Sequence, residues 1–258
     1  MMLKVLRPNS IIRLGYRIVK ISIPVVSYLY ACISRPKLIN FFVPWIISNL
    51  DANRSAIKDE VPWITFEAME WLENFISQNK NMSVFEYGSG GSTLYFKRRA
   101  ETLISVEHNP EWFQIVSRNM PKNESPSEYI LLEAEPITNG NSNFADPRSF
   151  SSSEYPNMNF YSYVNSINAF QDKSFDLVFI DGRARSSCML NARSKVKPGG
   201  YIMLDNSERS YYSLGKELLI DWDKIDFFGP APYGKNFWQT SIWRRPPFLE
   251  QAPLLPTE

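Results

Sequence analysis

A short stretch of the chain, VFEYGSGGSTLYF (residues 84–96), places an acid and three glycines before a predicted helix: Glu86, Gly88, Gly90 and Gly91. A glycine-rich loop between a strand and a helix brings backbone N–H groups close to a ligand, with no Cβ atoms in the way. Glu107 follows Gly88 by 19 positions at the end of the next predicted strand, where it can accept hydrogen bonds from ribose hydroxyls. The spacing therefore predicts a site for a nucleotide-containing ligand.

The loop by itself leaves two ligand classes open. It is not an intact G-x-G-x-x-G, because Thr93 occupies the last glycine position. No Walker lysine follows the glycines, which disfavours a phosphate-binding P-loop. Either a dinucleotide or S-adenosylmethionine fits the remaining pattern.

Three arginines follow later predicted strands: Arg183, Arg185 and Arg209. We expect their guanidinium groups near one mouth, where they would bind a carboxylate or phosphate of a substrate. The alternative is that they are solvated or paired with the rest of the chain, since residues 51–258 carry 21 basic and 27 acidic residues. Four aromatic residues nearby belong either to a wall for a sugar or ring, or to the core: Tyr211, Tyr212, Tyr233 and Trp238.

Strands and helices alternate along the chain and must position these residues. A helix from about Thr65 to Ser77 precedes strand SVFEY, and strands TLISVE, EYILLE, FDLVFID and YIMLD follow, with helices between most of them and a turn at KPGG. The segments KIDFFGP and FWQTSIW, joined by APYGKN, predict an antiparallel pair. Residues 137–156 are polar and predict a loop or lid. The fold class predicted is α/β: a doubly wound, mostly parallel seven-stranded sheet with a terminal antiparallel hairpin, plus an N-terminal helical segment.

The motif FEYGSGGST resembles the first motif of class I S-adenosylmethionine-dependent methyltransferases, with Ser92 at the third glycine position. SVEHN, FDLVFIDG and KVKPGGYIMLDN resemble their later motifs, over about residues 61–245. The resemblance implies that Glu86 and the loop hold the methionine moiety, that Glu107 holds the ribose, and that the adenine lies near His108. A lone histidine there would otherwise be solvated or packed locally. The expected cofactor-binding residues are Glu86, Gly88, Ser89, Gly90, Ser92, Glu107 and His108.

The carboxyl ends of two later strands carry the candidate catalytic residues: Asp181, Asp205 and Asn206. Their spacing is similar to that of catechol- and caffeoyl-CoA-type O-methyltransferases, in which such residues bind a divalent metal; here that implies Mg²⁺ or Ca²⁺. The segment DGRARSSC departs from that family, which carries acids there. A metal-free base role for Asp181 or Asp205 is the alternative, and so are a helix cap and an Asx turn.

Composition limits the other function classes. The 258 residues have a net charge of +1, and nothing in the main domain forms a basic aromatic stripe, so we expect no nucleic-acid partner. The two cysteines imply no disulfide framework and favour a reducing, cytoplasmic location. A single histidine nearly excludes clustered-histidine zinc sites and chymotrypsin-like triads not built on it.

The first 50 residues are different in charge from the rest, with seven basic and no acidic side chains. The segment IIRLGYRIVKI (residues 11–21) predicts an amphipathic helix with its cations on one side, and the uncharged runs that follow are too short to span a membrane. We expect either peripheral membrane contact through residues 1–50 or helices that cap the main domain. The divisions expected are residues 1–60, the methyltransferase domain 61–245 and a proline-rich tail 246–258.

Taken together, the sequence predicts an S-adenosylmethionine-dependent methyltransferase. Its acceptor is expected to be a hydroxyl or carboxylate on a small, anionic saccharide or lipid-linked molecule. Two alternatives stay open: an NAD(P)-dependent oxidoreductase, and a non-catalytic, membrane-docked scaffold that keeps the fold.

Overall fold

The computed structural model describes residues 24–122, 126–137 and 143–247. The strands of these residues are β1 (Ser83–Tyr87), β2 (Thr102–Glu107), β3 (Ser127–Leu131), β4 (Glu135–Pro136), β5 (Met158–Asn159), β6 (Phe175–Ile180), β7 (Val196–Leu204), β8 (Asp223–Gly229) and β9 (Trp238–Arg244). The α-helices are α1 (24–34), α2 (Phe42–Leu50), α3 (Ala56–Asp59), α4 (Phe66–Gln78), α5 (Gly91–Lys97), α6 (Pro110–Asn119), α7 (Tyr161–Asn165), α8 (Arg185–Lys195) and α9 (Ser213–Glu217).

Seven strands form one sheet in the order β3-β2-β1-β6-β7-β9-β8. Neighbours from β3 to β7 run parallel, whereas β9 is antiparallel to both β7 and β8. The predicted fold class, with its terminal antiparallel hairpin, is thereby confirmed. The chain builds outward from β1 to β3 on one side and from β6 on the other, so the strand order reverses between β1 and β6.

Side chains alternate between the two faces of the sheet, as the two-residue period of a strand requires. Phe85 and Val178 pack into the core on the side of α7 and α8, whereas Val84 and Leu177 pack into the core under α4 and α5. Helices therefore cover both faces, which explains why β1 and β6 read as nearly continuous apolar runs.

Residues 24–50 form a third, smaller core that packs on the edge of the sheet. Its buried members are Tyr28, Leu38, Phe41 and Trp45, and the neighbouring aromatic residues Phe66 and Phe237 belong to α4 and to the segment before β9. The Trp45 indole Nε1 donates a hydrogen bond to the Gly234 carbonyl at 2.7 Å. This segment is thus joined to the sheet domain by aromatic packing and hydrogen bonds, and the expected division at residue 60 stays a prediction.

Two details differ from the sequence-based expectation. The KPGG turn lies inside β7, which begins at Val196 with a register shift opposite β6 and a positive φ of 81° at Gly199. The third strand ends at Leu131, two residues earlier than expected. Between β7 and β8 the chain forms a 3₁₀ turn, Ser210–Tyr212, followed by α9.

Part of the N-terminal prediction lies outside the described residues. The basic helix predicted over residues 11–21 falls among the residues that are not described, and so do residues 248–258 of the proline-rich tail. Among the described helices, none has the length and apolar content needed to cross a membrane.

Candidate functional site

A pocket of about 310 Å³ opens where the strand order reverses, between β1 and β6. Ligands of open α/β sheets bind at this place, beyond the carboxyl ends of the strands. Its lining residues are Gly88, Ser89, Glu107, His108, Asn109, Trp112, Tyr155, Asp181, Gly182 and Arg183. Six of the residues predicted from the sequence are therefore brought together: Gly88, Ser89, Glu107, His108, Asp181 and Arg183.

The glycine loop is pressed against the loop after β6. Gly88 has a φ of 91°, and a Cβ atom there would lie 2.4 Å from the Cα of Gly182. A Cβ on Gly182 would in turn meet the Tyr163 hydroxyl at 2.0 Å. This close contact of the two loops requires glycine at both positions, and both glycines line the pocket.

Glu107 fixes the loop through a carboxylate that accepts hydrogen bonds on both oxygens. Oε2 accepts from the Ser89 backbone N–H at 3.0 Å and from the Ser89 hydroxyl at 2.8 Å, and Oε1 accepts from the N–H groups of His108 and Asn109, both at 2.8 Å. Burial acts to raise the pKa of Glu107, but His108 and these donors outweigh it and hold the pKa below its usual value. The site therefore keeps a fixed negative charge at the end of β2.

Glu86 lies behind the pocket wall and does not line it. Its side chain is fully buried beside α5, where Oε2 accepts hydrogen bonds from the hydroxyls of Thr93 and Ser105, each at 2.6 Å. Burial raises the pKa of Glu86 to about 7 despite these donors. Thr93 also accepts a hydrogen bond from the Gly90 backbone N–H at 2.9 Å, so the acid supports the loop from below. The predicted contacts of Glu86, Gly90 and Ser92 with a cofactor stay predictions.

His108 lies inside the pocket within a group of aromatic rings. Its ring packs edge-to-face against Tyr155 at 5.1 Å and Phe160 at 5.5 Å, and its Nδ1 is 2.9 Å from Oε1 of Glu107. The histidine is thus not solvated but packed locally, partly against Phe160 of the main core, while it also lines the pocket. A planar base bound in this pocket would have the His108 ring at one side.

Trp112, Asn109 and Tyr155 line the pocket but were not predicted. Asn109 caps α6 by accepting a hydrogen bond from the Trp112 backbone N–H at 2.9 Å, and the indole of Trp112 donates to the Ser89 carbonyl at 2.7 Å. A sequence signal for Asn109 and Trp112 was present, because the cap Asn109 follows the strand-ending Glu107 closely and Trp112 lies in the first turn of the capped helix. Tyr155 has no such signal, because it comes from the polar lid.

Asp181 faces the pocket at the end of β6 and is the candidate base. Its side chain is 26% exposed and its Oδ1 lies 3.0 Å from Nη2 of Arg185. Burial raises the pKa of Asp181. This effect exceeds the opposite effect of the neighbouring guanidinium groups of Arg185, Arg183 and Arg209, so the pKa of Asp181 lies above its usual value. A carboxylate with a raised pKa at the mouth of a pocket is suited to accept a proton.

Arg185 is a buried support rather than an exposed arm. Its guanidinium is only 5% exposed and donates to the carbonyls of Gly182 at 3.0 Å and Asp181 at 2.9 Å, and also to the carbonyl of Asp205. It thereby ties the loop after β6 to the end of β7. The predicted substrate contact of Arg185 stays a prediction, since the residue does not line the pocket.

Asp205 and Asn206 are not brought into the pocket. The Asp205 Oδ1 accepts hydrogen bonds from the Trp238 indole at 2.9 Å and the Thr240 hydroxyl at 2.7 Å, and burial together with Asp181 raises the pKa of Asp205. Asn206 has a left-handed φ of 50°, which suits a turn.

Two features of the predicted metal ligands disfavour a divalent ion, and the metal site stays a prediction. Oδ1 of Asp205 already accepts two neutral donors, and the buried Arg185 cation lies against Asp181 and would repel a second positive charge. Within the described residues, no group of three or more His, Cys, Asp or Glu side chains is arranged to hold a metal.

Arg183 and Arg209 converge on one carboxylate of the lid, the described part of which is residues 143–156. Nη2 of Arg183 lies 2.7 Å from Oε2 of Glu154, and Nη1 of Arg209 lies 3.5 Å from its Oε1. The guanidinium of Arg183 also lies 5.5 Å from the centre of the Tyr155 ring. Two of the three predicted arginines are therefore brought together on Glu154, and one of them, Arg183, lines the pocket. Their predicted contact with a substrate stays a prediction.

Two solved structures share this architecture over most of their length. One is an O-methyltransferase from Bacillus cereus in complex with SAH, with a TM-score of 0.52, 12% identity, and 78% of this chain and 95% of that chain covered. The other is the O-methyltransferase TomG from Streptomyces achromogenes in complex with SAM, with a TM-score of 0.52, 11% identity, and 78% and 94% covered. The chain has the class I methyltransferase fold.

The methyltransferase fold is the extent of this likeness, because identities of 11% and 12% carry no residue roles. No protein-family model and no curated protein matches the sequence. The chemistry that this pocket supports follows from its own side chains.

Proposed function

We propose that the chain is an S-adenosylmethionine-dependent methyltransferase that methylates an oxygen of a small, anionic acceptor. The observation that carries this proposal is a switch-point pocket that holds two carboxyl groups, Glu107 and Asp181, beside a glycine loop. Acidic side chains favour a ligand that bears a sulfonium cation and disfavour the pyrophosphate of a dinucleotide. The bound SAH and SAM of the two structures with the same fold are in keeping with this choice of cofactor.

The pocket residues divide into those that would hold the cofactor and one that would move a proton. Glu107 would accept from the ribose hydroxyls in place of the Ser89 hydroxyl, and His108 and Trp112 would lie against the adenine. When bound, the cofactor supplies an electrophilic methyl group. The carboxylate of Asp181 would take the proton from an acceptor hydroxyl, and Arg185 would hold that carboxylate in place. With a carboxylate acceptor, no proton transfer is needed and Arg183 would position the group.

The anionic nature of the acceptor is supported by the arginine pair at the mouth. Arg183 and Arg209 both bind the side chain of Glu154, which is 42% exposed. A carboxylate or phosphate on the acceptor would compete with Glu154 for the same guanidinium groups. We propose a saccharide or lipid-linked acceptor and a cytoplasmic location, where Cys32 and Cys188 would stay free thiols, as they are here. We also propose that no metal takes part, since the donor set disfavours one.

Calorimetric titration with S-adenosylmethionine, SAH and NADH tests the cofactor. We expect binding in the micromolar range for the first two only, weakened about tenfold by Trp112→Ala because a stacked base loses its partner. Ile115→Ala is the matched control, since Ile115 is similarly exposed on α6 but does not line the pocket. Binding of NADH without S-adenosylmethionine would overturn the proposal in favour of an oxidoreductase.

Turnover in a screen of anionic hydroxyl and carboxyl acceptors tests the chemistry. For a hydroxyl acceptor, Asp181→Asn should keep the cofactor affinity within about threefold and lower kcat by about 10²-fold or more. Added EDTA should leave turnover unchanged, whereas a loss restored by Mg²⁺ would contradict the metal-free mechanism. Cofactor binding without any turnover would favour the non-catalytic scaffold.

A further inference from the structure

The helices α1 and α2 leave an unusual amount of apolar side chain in contact with water. Of the fifteen large hydrophobic residues that are exposed in the described part of the chain, seven lie between residues 26 and 47. They are Val26, Leu29, Tyr30, Ile33, Ile39, Val43 and Ile47, with exposed fractions from 44% to 76%. We call them the apolar face. Contiguous exposed apolar surface on a soluble domain marks an interaction site.

Six residues of the apolar face lie on one side of α1 or of α2, and Ile39 lies in the 3₁₀ helix Pro36–Phe41 between them. In α1, Val26, Leu29, Tyr30 and Ile33 recur at helical spacing and occupy an arc of about 100°. Tyr28 points the other way: it is fully buried, and its hydroxyl donates to the Leu38 carbonyl at 2.7 Å. In α2, Trp45 is likewise fully buried, whereas Val43 and Ile47 are exposed. Each helix is therefore anchored by one side and presents apolar side chains on the other.

The charge of the same part of the chain indicates what covers this face. Residues 1–50 carry seven basic side chains and no acidic one. Five of them precede α1 and lie outside the described residues: Lys4, Arg7, Arg13, Arg17 and Lys20. Of the other two, Arg35 pairs with Glu67 at 2.8 Å and Lys37 is exposed. Apolar side chains combined with an excess of cations are the composition of a surface that lies in the headgroup region of an anionic bilayer. A second copy of this chain would bring the same positive charges together, which disfavours self-association through this region.

We propose that the apolar face of α1 and α2 docks on the surface of a membrane that contains anionic lipids. The docking that we propose is monotopic, with the side chains of the face in the headgroup region of one leaflet. The docking of the apolar face does not depend on the proposed methyl transfer. The face is connected to the sheet domain, however, through the contacts of α2. The buried side of α2 holds the turn before β9, because Trp45 and Asn49 both donate to the Gly234 carbonyl, at 2.7 Å and 3.2 Å.

That turn leads to Trp238 at the start of β9, on the side of Asp205 that faces away from the pocket lining. Trp238 packs against the half-exposed Trp63 at 6.3 Å, and donates to Asp205. Docking of α2 would therefore bring this side of the sheet domain toward the lipid headgroups. A lipid-linked acceptor could then present its polar end to the pocket without leaving the bilayer. This last step rests on the proposed function.

Flotation of the full chain with lipid vesicles tests the docking. We expect binding to vesicles of phosphatidylcholine and phosphatidylserine, weaker binding to phosphatidylcholine alone, and a loss of affinity at high salt. The double variant Tyr30→Ser/Ile33→Ser should weaken binding about tenfold or more, because both side chains are 76% exposed and available to insert. Ile220→Ser is the matched control: Ile220 is 84% exposed but lies after α9, and its loss should change nothing.

Two outcomes would overturn the proposal. Vesicle binding that is absent, or that the double variant and the control affect equally, would show that the face does not insert. A doubled mass in light scattering that the double variant abolishes, without vesicle binding, would assign the face to a second copy of the chain. Calorimetry with S-adenosylmethionine on the same samples separates a failure of docking from a failure of the proposed methyltransferase activity, and circular dichroism shows that the variants are folded.

Discussion

At the scale of residues, three buried or partly buried carboxyl groups around the pocket have different surroundings. Glu107 accepts four hydrogen bonds and keeps its charge. Glu86 is fully buried and Asp205 nearly so, and burial raises the pKa of both. The sequence could predict that acids lie here, because each ends a strand or precedes glycines. It could not predict which of them faces the ligand, because that depends on the hydroxyl and indole donors that other elements supply, such as Ser105 and Trp238.

The raised pKa of Glu86 predicts a dependence of stability on pH. The folded-state pKa of about 7 lies above the usual value of 4.5 for a glutamate, so the folded protein binds the proton more tightly than the unfolded chain does. The stabilisation is complete below pH 4.5 and is lost as the pH rises toward 7 and beyond. For a shift of this size, we expect Glu86 to contribute a loss of about 2 to 3 kcal/mol in unfolding free energy between pH 5 and pH 8.

Urea unfolding at the two pH values, with Glu86→Gln for comparison, measures this loss. The amide oxygen can keep the hydrogen bonds from Thr93 and Ser105 but does not titrate, so the variant should lose that much less between pH 5 and pH 8. Since other groups titrate in both proteins, the difference between the two losses is the quantity to compare. Equal losses in the two proteins would mean that Glu86 is ionised in its buried position.

At the scale of elements, the two glycines of the loop have different roles. We expect Gly88 to be needed for folding and Gly90 to matter only for the binding of the ligand. Gly88→Ala should lower the unfolding free energy by about 3 kcal/mol or more, because the φ is 91° and the added Cβ would lie 2.4 Å from Gly182. Gly90→Ala is the matched variant. Gly90 has extended backbone, and its Cβ would meet only the Ser92 hydroxyl oxygen, at 3.9 Å.

Thermal unfolding and cofactor titration of the two variants separate these roles. We expect Gly90→Ala to unfold within about 1 kcal/mol of the natural chain, as substitutions away from special features do. If the cofactor passes over this part of the loop as proposed, Gly90→Ala should bind it more weakly while remaining stable. Equal stability of the two variants would contradict the close contact between Gly88 and Gly182.

The same scale shows why most of the fold was predictable and the lid was not. The strands β1 and β6 are short apolar runs between glycines and polar residues, and such local patterns determine a parallel sheet and its switch point. The lid places Glu154 and Tyr155 over the mouth through contacts with Arg183 and His108. These partners are distant in sequence and belong to other elements, so no local pattern predicts them. Trp112 lies between the two cases, because its cap is local but its contact with Ser89 is not.

At the scale of the whole molecule, the N-terminal helices and the sheet domain share contacts from which we predict a single folding unit. Phe41 stacks on Phe66 at 5.4 Å, Arg35 pairs with Glu67 at 2.8 Å, and a Cβ on Gly91 would lie 2.1 Å from the Ala56 carbonyl oxygen. The glycine loop and its helix α5 therefore rest on residues that lie before the sheet domain. The change of charge at residue 50 marks a difference in surface, not a gap in packing.

This packing predicts that damage to α2 destabilises the whole protein. Trp45→Ala removes a fully buried indole and its hydrogen bond to Gly234, and we expect a loss of about 3 to 5 kcal/mol in unfolding free energy. Val43→Ala is the matched control on the same helix, since Val43 is 62% exposed and its loss should cost less than about 0.5 kcal/mol. In thermal unfolding followed by calorimetry, the natural chain should show one transition, and Trp45→Ala should move all of it to lower temperature. A separate early transition, with the main one unmoved, would instead mean that the helices are an independent appendage whose membrane docking could not position the site.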